Sequence, residues 1–277
     1  MVSEFDEACR DRLTPSRRYE AGAGGVRGML TTILGEFARR SGEPTPSAAL
    51  IEVLGRFGVG ETTARQALLR AAKDGWFVRV RDGRRTLWQL SRQFEHFLDG
   101  GEAKIYGFRA VQRDWDGQWL LVLARADDRA GRHVLETRLS WVGFGNPAPG
   151  MWISTHTDRA GEAERVLEDA KVRGGQVFQA RHLRDGELPG LVGQAWDLER
   201  LGREYDDYVR VVDHESDDLM RLLRLVHGWR RFRLIDPALP VELLPDRWSG
   251  LRAAEFFHRH HPLWRPAAMA EWSRLRG

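Results

Sequence analysis

Thr62, Thr63, Arg65, Gln66, Arg70 and Lys73 share one face of a 3.6-residue repeat, and each either donates hydrogen bonds or carries positive charge. Arginine pairs bidentately with guanine and glutamine with adenine, so Arg65 and Gln66 have the donor and acceptor geometry to read base edges in a major groove. Further along, Arg79, Arg81, Arg84 and Arg85 cluster on a short turn-linked segment. Such a group suits phosphate oxygens, contacts that position a protein on a duplex without reading its sequence. From Arg56 to Arg92 the chain carries nine Lys and Arg against three Asp and Glu, while its net charge as a whole is only +3. Positive charge is therefore concentrated here. About six phosphate contacts would give binding a steep salt dependence, roughly −0.9 in logarithmic slope per contact. The plainer alternative is a solvated basic hairpin on an enzyme or a protein-interaction domain; the order of the surrounding elements argues against it.

Thr45-Pro46 reads as a cap residue followed by proline at a first helical position, where its missing N–H costs nothing. Leu50, Ile51, Val53, Leu54 and Phe57 continue as an apolar stripe, and Gly58 suits the left-handed stop. Glu61 opens the next helix, with its negative charge in the first turn where the helix dipole favours it. It is the only acid before Asp74. Ala64, Ala67, Leu68 and Ala71 supply the small packing face, which leaves the polar and basic face outward. Trp76, Val78 and Val80 then alternate, Asp82-Gly83 makes a turn, and Thr86, Trp88 and Leu90 alternate back, predicting a hairpin. An earlier stripe of Val26, Met29, Leu30, Ile33, Leu34 and Phe37, stopped near Gly42, adds a first helix. Helix, helix, turn, helix and hairpin in that order predict a winged helix-turn-helix over residues 25–92, behind a flexible arm of residues 1–24.

The chain has 277 residues, which leaves room beyond the motif for one or two further cores. Cys9 is the only cysteine, so no internal disulfide is possible, and the charged start MVSEFDEACRDRL lacks the apolar run of a secretory signal. No stretch reaches the roughly 20 apolar residues of a spanning helix. A cytoplasmic protein with no membrane partner is expected.

Residues 93–112, within SRQFEHFLDGGEAKIY and just after it, read as a connector helix with a glycine break. Residues 113–194 alternate strand and helix. A strand at Trp119 to Ala124, a helix at Arg132 to Val142, a short strand at Val142 to Asn146, the strand MWIS, a helix at Glu162 to Val172 and the strand QVFQARHL give βαββαβ, the order of a ferredoxin-like sheet. Residues 195–277 are helical, with Pro237, Pro240 and Pro245 separating two helices and a further segment closing the chain after HRHHPL. The fold class expected is α+β.

GVGETTARQALLRAAKDGWFVRVRDGRRTLWQL, Trp115-Asp116-Gly117 before WLLVL, the GFG at Gly143 to Gly145 and DPALPVELLPDRW together resemble the PaaX family of bacterial repressors, over about Val26 to Trp272. The resemblance implies an N-terminal winged helix, a middle domain similar to a small CRISPR-associated nuclease of ferredoxin-like fold, and a C-terminal helical domain. It implies repression of aromatic-catabolism genes, phenylacetate degradation above all, by a homodimer on an inverted-repeat operator in double-stranded DNA. Release by an aryl-CoA thioester such as phenylacetyl-CoA is implied as well. The family's recognition helix maps to Glu61 to Lys73 and its wing to Trp76 to Leu90, with Gly60 standing where a serine cap is common.

Other constellations carry less. Trp141 and Trp152, among eleven tryptophans, suit either an aromatic cage or ordinary core packing. Arg230, Arg231 and Arg233 suit the phosphates of a CoA thioester, or plain surface and interface charge. His258, His260 and His261 with Glu255 have poor ligand spacing and read as a surface cluster near a helix end. Asp127 and Asp128 follow the first strand of the middle domain, so a metal-dependent nuclease is the alternative reading. No nucleophile elbow, phosphate loop or dinucleotide fingerprint occurs. The expectation is therefore no catalysis, no metal and no cofactor beyond an acyl-CoA effector.

Overall fold

The computed structural model describes residues 25–83, 85–111, 114–183 and 185–277; the expected arm of residues 1–24 and Arg84 lie outside the described residues. The chain forms two compact units. One comprises the described part of Met1–Ala110 with Tyr208–Arg231 and Ala253–Gly277, the other Val111–Asp207 with Phe232–Arg252.

In the first unit, α1 (Gly25–Ile33) runs on through a π turn at Leu34–Ala38 and a last turn at Arg39–Ser41, ending at Gly42. Its predicted stripe is the reason it packs: Leu30, Ile33, Leu34 and Phe37 are fully buried. The π turn places a carboxylate inward as well. Glu36 is only 5% exposed. Its Oε1 accepts from the Tyr106 hydroxyl, and its Oε2 lies 3.1 Å from His261 Nε2. Burial pushes this carboxyl up; the His261 hydrogen bond and charge, then Tyr106 and Arg265, outweigh it and hold it below the ordinary value.

A short strand, β1 (Thr45–Pro46), pairs with the hairpin at Trp88 and Leu87. That pairing shifts the expected cap by one residue. Pro46, not Thr45, is the N-cap of α2 (Ser47–Arg56), in extended conformation, because an edge strand tolerates a missing N–H. α3 (Glu61–Lys73) follows, then β2 (Phe77–Asp82) and β3 (Arg85–Leu90), with strand order β1-β3-β2. α4 (Arg92–Tyr106) passes through Gly100 and Gly101 without the expected break. Asp99 and Glu102, on either side of the glycines, both pair with Arg39, and Leu98 is buried, so tertiary contacts hold the turn that glycine would weaken.

Two later helices contribute to both units: α9 (Asp218–Ile235) and α10 (Ser249–Arg276). Within the first unit, the Leu219 to Trp229 stretch of α9 buries apolar residues around most of its circumference, the pattern of an interior helix. α10 is continuous through Pro262 and Pro266, where two segments were expected. Its anchors lie on both sides of the prolines: Phe257 stacks on Trp229 at 4.8 Å and Trp272 on Phe37 at 5.0 Å. The histidines consequently sit mid-helix rather than at an end, and the His261 side chain is 12% exposed instead of on the surface.

The second unit holds β4 (Gln118–Leu123), α5 (Arg129–Trp141), β5 (Gly145–Ala148), β6 (Met151–Ser154), α6 (Ala160–Asp169) and β7 (Gln176–Arg181). The sheet order is β5-β6-β4-β7 with every neighbour antiparallel, a ferredoxin-like sheet. β5 starts later than expected, because residues 142–144 are spent turning out of α5 and the first pairing is Gly145 with Ile153. Leu120, Val122 and Trp152 on one sheet face pack against Leu135, Leu139, Val166 and Leu167. The unit is completed by α7 (Leu188–Ala195), much of α8 (Leu198–Asp213) and the ends of α9 and α10 that fall within it. Tyr205 stacks on Phe232 at 3.8 Å and donates to Asp236 at 2.5 Å there. Both units together make an α+β protein.

Candidate nucleic-acid interface

Four residues join α2 to α3. Gly58 takes φ +82°, which an L side chain adopts only under strain, and its N–H donates to Gly55 O at 2.8 Å while Val59 N donates to Leu54 O at 3.0 Å. Gly60 caps α3 with backbone alone; Ala64 N donates to its carbonyl at 3.0 Å. Where a serine would add a side-chain acceptor, Glu61 supplies only charge in the first turn.

Ala64, Ala67, Leu68 and Ala71 are buried, and the small size of the three alanines lets α3 approach α2. The opposite face carries Thr62, Thr63, Arg65, Gln66, Arg70 and Lys73, all exposed. Leu69 lies among them at 60% exposure, an apolar group on an otherwise polar surface. The Arg65 guanidinium is held by Glu61, and Arg70 Nε donates to Gln66 O at 3.3 Å. Within the first unit, this face of α3 remains open to solvent.

The hairpin register is Phe77 to Leu90, Arg79 to Trp88 and Asp82 to Arg85, so Asp82, expected in the turn, is still paired in the ladder. Cross-strand partners face the same side. Trp88 and Leu90 therefore share their buried face with Phe77, and Val78 points outward at 57% exposure. The alternation of Trp76, Val78 and Val80 read from the sequence is out of phase with the buried face of the strand. Trp76 precedes the strand and is buried instead by stacking on Phe94 at 4.2 Å. Arg79 and Arg81 extend the Phe77 face beyond the core, and Arg85 lies on the other; all three are exposed. Arg79 donates to Thr86 Oγ1 at 3.1 Å across the pair. The base of the hairpin is pinned by Trp88 Nε1 donating to Ser47 Oγ at 2.7 Å, and by that hydroxyl donating to Thr86 O at 3.1 Å.

One member of the basic run is spent elsewhere. Arg56 pairs with Asp217 at 2.8 Å and with Glu271, so its charge serves the packing of the first unit. No periodic signal in the sequence marks those partners.

The residues expected at an effector site are distributed over the chain. Trp141 on α5 is half-buried and Trp152 on β6 is buried, both in the second unit with Arg233. Burial, then the Arg159 charge, lowers the Arg233 pKa from its usual value. Arg230 and Arg231 belong to the first unit, where Arg230 donates to Thr32 Oγ1 at 2.6 Å and Gly28 O at 3.2 Å. Asp128 Oδ1 accepts from Gly131 N at 2.6 Å as the cap of α5. Among the described residues, no three or more His, Cys, Asp and Glu gather as metal ligands would, and no helix is long and apolar enough to cross a membrane. A cavity lined in part by Trp152 and Trp196 was not anticipated. Gly145 in the GFG run was its one legible trace, as a residue required where two segments meet closely.

Three family models match successive stretches of the chain: PaaX-like protein over residues 26–94, PaaX protein central Cas2-like domain over 112–192, and PaaX-like protein C-terminal domain over 196–274. The transcriptional repressor PaaX of Escherichia coli (strain K12) is 30% identical over 260 residues, covering 87% of this chain and 81% of its own. Among solved structures, the uncharacterized protein Rv0674 from Mycobacterium tuberculosis aligns with a TM-score of 0.57 at 25% identity, over 86% of this chain and 96% of that one.

Proposed function

As this chain belongs to the PaaX-like protein family, we propose that it is a ligand-responsive transcriptional repressor acting in the cytoplasm. α3 enters the major groove of an operator, and the arginines of the β2–β3 hairpin rest on its phosphates. Thr62, Thr63, Arg65, Gln66 and Arg70 are the groove contacts; Lys73, Arg79, Arg81, Arg84 and Arg85 are the backbone contacts. The observation that carries this reading is the solvent-open cationic face of α3 beside the exposed Arg79, Arg81 and Arg85.

Two copies of the chain bind an inverted repeat, so half-site spacing must match the helical repeat of DNA. An aryl-CoA thioester such as phenylacetyl-CoA is the effector; by changing the spacing of the two recognition helices it costs one half-site and releases the operator. The similarity to a transcriptional repressor supports the regulatory reading. No observation favours the nuclease alternative, since Asp128 is engaged as a helix cap.

The test is selection of duplexes from a random pool by the full chain, followed by fluorescence anisotropy on the winner and on scrambled DNA across salt concentrations. Enrichment of an inverted repeat, bound with a steep salt slope and released by phenylacetyl-CoA but not by free phenylacetate, is expected. Recovery of no preferred sequence would remove the operator reading, and cleavage of the duplex in Mg²⁺ would replace it with a nuclease.

A further inference from the structure

We propose that Leu69 is a base-reading residue whose side chain packs on the C5 methyl of a thymine in the major groove, and so specifies an A·T pair in each half-site. The proposal rests on the operator reading above and adds an apolar member to its groove contacts.

Thr62, Gln66, Leu69 and Lys73 follow one another at intervals of four, three and four residues, so they form a single row along α3. The row lies opposite the buried Ala64, Ala67, Leu68 and Ala71. Leu69 therefore stands in the middle of the outward face, not at its margin. It is 60% exposed, and the other three residues of the row are exposed as well. The two flanking arginines are turned along the helix, Arg65 onto the Glu61 carboxylate and Arg70 onto the Gln66 carbonyl, and Leu69 stays uncovered between them.

Leucine at this place adds little to the core of the first unit, which on this helix is served by Leu68. Its selectivity comes from what it lacks. Base edges in the major groove offer hydrogen-bonding atoms and one apolar group, the thymine methyl. Leucine has neither donor nor acceptor, so against any other edge it shuts polar atoms away from water and leaves them unpaired. Thymine is the base it meets without that penalty, and rejection of the wrong pair contributes as much as attraction to the right one. Leu69 is four residues beyond Arg65, about 6 Å along the helix axis, while base pairs stack about 3.4 Å apart. The thymine thus falls within about two base pairs of the guanine read by Arg65.

Replacing each thymine of the selected operator by deoxyuridine in turn removes the methyl and leaves every hydrogen-bonding atom in place, and anisotropy with the full chain reads the effect. For the parent chain, one thymine in each half-site, close to a guanine that responds to Arg65→Ala, should lose about three- to fourfold in affinity, as expected for roughly one buried methyl. A G·C pair at that position should lose about tenfold or more. Leu69→Ala should bind the thymine and uracil duplexes alike, with scrambled-DNA affinity and salt slope unchanged because no phosphate contact is removed. Leu69→Met keeps an apolar reach and should retain the thymine preference. A parent chain indifferent to every deoxyuridine, a thymine effect undiminished in Leu69→Ala, or equal weakening of that variant on operator and scrambled DNA overturns the proposal. A selection that recovers no preferred duplex sinks the operator reading and this contact with it, whereas an operator bound without regard to its thymine methyls sinks this contact alone.

Discussion

Glu61 Oε1 accepts from both Nε and Nη2 of Arg65, at 2.9 and 2.6 Å, one turn further along α3. Both side chains are about two-thirds exposed, 65% and 60% respectively. A pair this open is worth only about 0.3–0.5 kcal/mol, against about 1–3 kcal/mol for a bidentate arginine–guanine contact. In the proposed complex the duplex therefore wins the arginine. In the free protein Glu61 holds the side chain along the helix.

Glu61→Gln should therefore bind every duplex somewhat more tightly, by about twofold, with base preference unchanged. Anisotropy on operator and scrambled DNA checks this, and weaker binding to both would show that Glu61 serves the helix start more than it restrains Arg65.

Arg65→Ala and Arg85→Ala should fail in different ways. The first should cost about 1–3 kcal/mol on the operator and relax preference at one base pair, while the second should weaken all sequences alike and reduce the salt slope by about one. Equal losses on operator and scrambled DNA for Arg65→Ala would move it from the readout set to the phosphate set.

Leu68 and Leu69 are neighbours with opposite fates, 2% and 60% exposed. Leu68→Ala opens a cavity between α3 and α2 and should cost about 2–5 kcal/mol. Leu69→Ala should stay within about 0.5 kcal/mol of the parent. Urea unfolding of both variants decides, and a similar loss for the two would mean that the outward face of α3 is covered in solution.

His227 Nδ1 lies 3.1 Å from Thr32 Oγ1, and burial, then the Arg230 charge, lowers its pKa from 6.5 to about 4. The unfolded chain takes up this proton below pH 6.5 and the folded chain only near 4, so stability present above pH 6.5 is lost as pH falls toward 4, by about 3 kcal/mol in all. His227→Phe should flatten the fall of Tm between pH 7 and 5. An unchanged slope would place the acid sensitivity of that range in another group; Glu36→Gln is a separate test, read below pH 4.5. The depressed Glu36 pKa contributes stability held above its ordinary value of 4.5 and lost only below it.

Legibility in the chain followed the range of the interaction. The bounds of α3, the small buried face of Ala64, Ala67, Leu68 and Ala71, and the βαββαβ order could all be read because each rests on periodicity or turn chemistry within a few residues. The hairpin marks the limit. Its existence was legible from Asp-Gly between alternating runs, but the phase of β2 was decided by the pairing of Phe77 with Leu90 and by Trp76 finding Phe94.

Local sequence thus determined which segments coil or extend and which helix carries the cationic face. Tertiary structure alone decided which charges stay free for a partner. Arg56 is drawn to Asp217 and Glu271, Glu36 meets His261 across 225 residues of chain, and Trp196 is brought against Gly145 with an unmet donor. Contacts between residues so far apart leave no periodic trace, because their geometry comes from the packing of whole elements rather than from the neighbours each residue has along the chain.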